Sequence, residues 1–148
     1  MEGAADCMEK KKINLSVGDS FSLTKTIGQS DVYLFAGITE DFSPYHTNLP
    51  FVQSQGFDRL LVHGALLFSF SSSLAFASQK KSGQPALAYG YEHVRFVKPF
   101  LIGDTLTVTY TIDRIDQESR KTFAKIEGRN QDGTLIYVCE HIMKYLLD

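Results

Sequence analysis

The sequence has no tryptophan, two cysteines and four prolines in 148 residues. Cys7 stands in a polar stretch and Cys139 in an apolar one, so they form no disulfide framework and read as reduced thiols of a cytoplasmic protein. A long hydrophobic run is missing as well. The most apolar stretch, Gly64 to Ala77, is broken by Ser69, Ser71, Ser72 and Ser73, which makes it too short and too polar to span a bilayer. Neither sign of charge dominates. The 15 basic and 17 acidic residues leave a net charge of −2, which gives no general attraction to nucleic acid or to anionic membrane. No apolar segment follows Met1, and Glu2, Asp6 and Glu9 argue against a transit peptide. There is no internal repeat and no low-complexity linker. What remains is a globular composition, 43% hydrophobic and 22% charged, rich in Phe and Tyr. The expected organisation is a polar tail over residues 1–12, ending in Lys10-Lys11-Lys12, and a single domain over 13–148.

Hydrophobic periodicity places the elements. Phe21, Leu23, Lys25 and Ile27 alternate with small polar residues, the pattern of a half-buried strand. Ser30 reads as the N-cap of a short helix, with Asp31 in its first turn and Gly37 as its stop. Residues 38–62 carry Pro44, Pro50 and Gly56 and no clean period, an irregular stretch of the length that often carries function. From His63 to Gln79 apolar residues fall on nearly every face, as in a buried helix. Four strands follow: Tyr89 to Phe96, Thr105 to Ile112, Lys121 to Arg129 and Leu135 to Leu146, with a turn at Asn130–Gly133. This order predicts an α+β fold, an antiparallel sheet wrapped around a long central apolar helix. One sheet cannot cover a helix that is apolar all round, so a second subunit is expected over its other side.

The irregular stretch holds Asp41-Phe42-Ser43-Pro44-Tyr45-His46. A proline-fixed turn can set an acid and an imidazole side by side to divide acid and base work. The same string also serves as a capped turn. Gly64 opens the apolar helix, where its backbone N–H lacks an intrahelical partner and no side chain blocks approach. Such a donor suits an oxygen that gains negative charge, in surroundings kept dry by the helix.

These residues belong to a longer ordered set: Asp31-Val32-Tyr33-Leu34-Phe35-Ala36-Gly37, Asp41 to His46, Gly56 to Gly64, Val94 to Pro99, and Ile102-Gly103-Asp104-Thr105-Leu106. Over roughly Val17 to Leu146 the chain resembles the MaoC-like, R-specific enoyl-CoA hydratases of the hotdog fold. The resemblance implies a hotdog domain, usually dimeric. It also implies reversible hydration of trans-2-enoyl thioesters, carried by CoA or acyl-carrier protein, to (R)-3-hydroxyacyl thioesters. Asp41 and His46 would then be the catalytic pair and Gly64 the oxyanion donor, with no metal and no cofactor required. One departure stands out. Ser43 replaces the family's Asn, exchanging a longer donor–acceptor amide for a short hydroxyl in an auxiliary position.

Other residues have plainer readings. His63, beside the glycine, suits a hydrogen bond to a nearby loop as well as a substrate-binding role. The four histidines show no compact metal-ligand spacing. The serine cluster lacks a nucleophile elbow. Arg95 and Lys98, with Lys80 and Lys81, could meet the phosphates of a CoA or carrier arm, or be solvated strand-end charges. An acyl-CoA thioesterase and a non-catalytic thioester-binding subunit remain the alternatives, since the fold supports each.

Overall fold

A computed structural model describes residues 11–146. Cys7, Lys10 and most of the expected tail lie outside the described residues. The elements run β1 (Ser20–Thr26), α1 (Gln29–Thr39), α2 (Pro44–Thr47), α3 (Leu49–Ser54), α4 (Gly64–Ser69), α5 (Ser71–Ser82), β2 (Ala86–Phe96), β3 (Thr105–Asp116), β4 (Lys121–Arg129) and β5 (Leu135–Tyr145). All five strands form one antiparallel sheet in the order β1-β3-β4-β5-β2. The sheet curls about the helices, the α+β arrangement expected.

Strand β3 shows how the pattern becomes the layer. Leu106, Val108, Tyr110 and Ile112 point inward and are buried, while the threonines between them face out. Those threonines pair with β1 through hydroxyl contacts, Ser20–Thr111 at 3.0 Å, Thr24–Thr107 at 2.9 Å and Thr26–Thr105 at 2.8 Å. The polar half of the alternation thus joins strands while the apolar half fills the core.

The helices depart from the sequence reading in three places. Helix α1 starts at Gln29 with Gly28 as its N-cap, not Ser30. The Asp31 carboxylate accepts from the Gly28 N–H at 2.8 Å and pairs with Lys25, so the acid sets the start and the serine is left within the first turn. Gly37 does not stop the helix either. The helix continues to Thr39 and ends at Glu40 in a left-handed conformation, φ 61°.

The third departure is the central helix, which is two segments broken at Phe70, with His63 as the N-cap of the first. In α5 the stripe Ser71, Leu74, Ala75, Ser78 and Ser82 faces the sheet. Its opposite face is open in a single chain, and Phe76 is 60% exposed. The helix is therefore covered on one side only. The open side is the one over which a second subunit is expected.

Two places under the helices are tightly constrained. A Cβ on Gly128 would lie 2.1 Å from the ring of Tyr137, its cross-strand partner, so the absent side chain is what lets that fully buried ring cross β4. Further along β5, His141 is fully buried, and burial depresses its pKa to about 4. In the unfolded chain an imidazole takes its proton near about 6.5. Between those two values the unfolded state binds more protons. Stability should therefore fall as pH drops from about 6.5 to about 4, by roughly 3 kcal/mol. Urea midpoints measured across that range should show this slope in the native protein. It should be lost in His141→Phe, whatever that variant's absolute stability.

Candidate active site

The irregular stretch is organised by backbone bonds to a short extended segment, Leu60 to Val62. The Leu61 N–H donates to the Tyr45 carbonyl at 2.9 Å, and His46 Nδ1 contacts the Leu61 carbonyl at 2.8 Å. On the other edge of the segment, Val62 N–H donates to Phe100 and Ile102 N–H donates to Leu60. Two and three residues past Leu61 come His63 and Gly64, so the loop with Asp41 and His46 is tied to the start of α4. The local fold of that loop follows from its residues. Pro44 fits the first position of α2, where no N–H is needed. The Asp41 carboxylate accepts from the Ser43 backbone N–H at 3.2 Å, closing the turn before it. Ser43 contributes this N–H and its carbonyl, which accepts from His46 N–H at 2.9 Å. Its hydroxyl has no hydrogen-bond partner among the described residues.

The sequence reading treated His63 apart from the Asp41–His46 pair; the structure joins all three. The rings of His46 and His63 stack with centroids 3.6 Å apart and 26° between planes. His63 is 2% exposed, and its Nε2 contacts the Asp41 carbonyl oxygen at 3.0 Å. The Asp41 carboxylate, 52% exposed, lies 4.0 Å from His46 Nε2 and 3.9 Å from His63 Nε2. Phe35 of α1 also contacts the His63 ring, tilted at 59° with centroids 5.0 Å apart.

Hydrogen-bond bookkeeping assigns the tautomers. A carbonyl only accepts, so His46 donates through Nδ1–H to Leu61 and its Nε2 carries a lone pair. By the same rule His63 donates through Nε2–H to Asp41. Its Nδ1 is then a buried lone pair without a partner. Desolvation holds the His46 pKa below the ordinary histidine value. The Leu61 bond and the Asp41 charge act against that shift, while His63 reinforces it. At neutral pH His46 is a neutral imidazole whose free Nε2 faces the carboxylate.

One donor atom from each of Asp41, His46 and His63 falls within 4.8 Å of the others. The spacing along the chain gave no sign of such a compact set. Its geometry is that of a hydrogen-bonded cluster. The stacked rings direct their nitrogens side by side, and His63 Nε2 has its proton committed to a carbonyl.

Gly64 borders a cleft of about 320 Å³ together with Leu61, Phe96 and Lys98. A Cβ at residue 64 would lie 2.9 to 3.0 Å from the Phe96 ring, so the glycine also makes room for that aromatic. Phe96 is a site residue the sequence reading passed over. Its one signal was its place in the Val94–Pro99 stretch. Asp41 and His46 do not line this cleft and connect to it through Leu61 and Gly64. Lys98 lies at the cleft. Arg95 bonds back to the Val94 carbonyl at 2.8 Å and does not line it.

Replacing Asp41 by Asn removes the charge that favours His46 protonation, so the His46 pKa should fall further below about 6.5. Histidine NMR titrations of the native and Asp41→Asn proteins would show this as a shift to lower pH. An unchanged or raised value would contradict the geometry described.

The sequence profile of the MaoC like domain matches residues 12–132. An (R)-specific enoyl-CoA hydratase of Rhodospirillum rubrum is 36% identical over 107 residues, which cover 72% of each chain. The (R)-specific enoyl-CoA hydratase of Aeromonas caviae is 31% identical over 133 residues, covering 88% of this chain and 96% of that one. The solved structure of an A. caviae (R)-hydratase, a protein of the hotdog fold, superposes with a TM-score of 0.80 at 28% identity, again over 88% and 96% of the two chains. With the predicted α+β layers observed and this profile spanning most of the chain, the protein belongs to the MaoC-like domain family.

Proposed function

We propose that the chain is a hydro-lyase that adds water reversibly to trans-2-enoyl thioesters, giving (R)-3-hydroxyacyl thioesters. The observation that carries this reading is the unprotonated Nε2 of His46, 4.0 Å from a carboxylate oxygen. That gap is too long for a direct hydrogen bond and suits one water touching both atoms. Water adds poorly to an isolated alkene. Conjugation to the thioester lets charge move to the carbonyl oxygen as the new C–O bond forms at C3. The Gly64 N–H serves as donor to that oxygen. His46 Nε2 takes a proton from the water as its oxygen attacks C3. The imidazolium then returns that proton to C2, so one water is consumed and the enzyme is unchanged. Asp41 holds the water by its second hydrogen and stabilises the imidazolium while it exists. The R configuration and the thioester substrate are supported by the hydratases to which the chain is similar.

Three further parts of the reading stand beside this. His63 and Ser43 act by position: His63 fixes the Asp41 carbonyl and stacks on His46, and the Ser43 N–H orients the Asp41 carboxylate. Lys98, at the cleft, is the cation placed to meet a phosphate of the CoA or carrier arm, with Arg95 farther along β2. The working form is a homodimer, supported by the unpaired outer edge of β2, where Leu87 and Tyr89 are exposed, and by the open face of α5. A reducing, cytoplasmic setting accords with the free buried thiol of Cys139. No helix among the described residues is long and apolar enough to cross a membrane.

The test is loss of the conjugated enoyl absorbance of crotonyl-CoA, with the configuration of the product determined. His46→Ala and Asp41→Asn should each lower kcat by about 10²- to 10⁴-fold, the range of general acid–base contributions. Release of free thiol from a saturated acyl-CoA, without enoyl turnover, would instead mark a thioesterase.

A further inference from the structure

Arg59 stands immediately before the Leu60–Val62 segment and takes no part in the acid–base cluster. Its guanidinium reaches across to the stretch that this segment pairs with. Both N–H groups of Nη1 are accounted for, one by the Ile102 carbonyl at 2.9 Å and one by Asp104 Oδ1 at 3.0 Å. Gly103 leaves room for this approach. Its φ is 96°, and a Cβ there would lie 3.4 Å from Nη1. The Arg59 Nε is 3.7 Å from the exposed Asp58, too far for a hydrogen bond.

Asp104 is the fixed end of the contact. It lies just before β3 and is 9% exposed. Its Oδ2 accepts from the Leu101 N–H at 3.2 Å, and its Oδ1 also accepts from Gln131 Nε2 at 3.2 Å. Its backbone carbonyl accepts from the Ile27 N–H at 3.0 Å, just past β1. The start of the Leu60–Val62 segment therefore hangs, through Arg59, on a carboxylate anchored to the sheet. Two residues on, the Leu61 carbonyl meets His46 Nδ1. Where that carbonyl sits decides which nitrogen of a neutral His46 keeps the proton. Neither Arg59 nor Asp104 lines the cleft at Gly64, so neither reaches a thioester held there.

We propose that Arg59 and Asp104 are positioning residues for the reaction, whose pairing holds Leu61 in place and thereby fixes His46 with its proton on Nδ1 and its lone pair on Nε2. The inference rests on the hydratase reading for its effect on rate, and on geometry alone for its effect on the ring. Lysine cannot replace the arginine fully, because its ammonium does not present two N–H groups in one fixed plane.

The experiment compares Arg59→Met, which keeps the stem and removes the donors, with Asp104→Asn and with the double variant. Lys25→Met, which breaks the separate Lys25–Asp31 pair, is the control. Two quantities are read. One is turnover of crotonyl-CoA per folded molecule. The other is the nitrogen-15 spectrum of the His46 ring, assigned by its absence in His46→Ala, in which protonated and bare nitrogens are well separated. In each single variant kcat should fall by about 10- to 100-fold with KM within about twofold, since a small misplacement of a catalytic group has effects of that size. The His46 nitrogen signals should move toward each other as the two tautomers mix. The double variant should be no worse than the worse single one, because the two residues form one contact. A loss of folded fraction lowers turnover but leaves the ring spectrum of the folded molecules unchanged. A native His46 spectrum in folded Arg59→Met overturns the proposal whatever the rate, as does an equal shift in Lys25→Met or full additivity in the double variant. If Arg59→Met does not fold, Arg59→Lys takes its place, with a smaller shift expected and a native spectrum again overturning the proposal. A shifted spectrum with unchanged kcat upholds the positioning and removes His46 as the base. If the native protein turns over no enoyl-CoA, the hydratase reading falls and the spectra alone decide whether the pair positions the ring.

Discussion

The site depends on a three-residue segment bonded along both edges. Leu60 to Val62 belongs to no strand, yet its backbone is held on one side by Tyr45 and His46 and on the other by Phe100 and Ile102. Together with the contacts of His63 to Asp41 and His46, it ties the loop to the start of α4 and so to Gly64. The proline-containing loop can be irregular because its position comes from this contact rather than from regular secondary structure.

The same contact sets the tautomer. Donating Nδ1–H to Leu61 leaves the lone pair of His46 on Nε2, and partial burial favours the neutral ring. His63 spends its own N–H on the Asp41 carbonyl and lies flat against His46. Its ring in that stack disfavours a positive charge on His46.

Much of this was legible in the sequence where alternation or spacing speaks directly. The threonine-interleaved run of β3 could hardly be other than a half-buried strand, and β4 has the bounds its pattern suggested. The loop acid, the loop histidine and the helix-opening glycine were visible by type and order. What could not be read were effects set by tertiary partners. Asp31 capturing the Gly28 N–H moved the start of α1 away from Ser30. Gly37 has open space around it and simply continues the helix. The apolar circumference of the central helix indicated that one sheet would leave a side uncovered, but it did not disclose the break at Phe70. The stacking of His46 on His63 joins residues 17 positions apart through a backbone route that no periodicity encodes.

Beneath the site, Gly128 and Tyr137 form a tight fit between neighbouring strands, the ring filling the space where a methyl group would stand. A tyrosine placed there first requires a glycine opposite, and a larger residue at 128 first requires a smaller ring at 137. Either change alone passes through an overpacked intermediate. Among descendants of this chain the two positions should therefore drift as a linked pair, each constraining the other's history even though neither belongs to the Asp41–His46–His63 cluster.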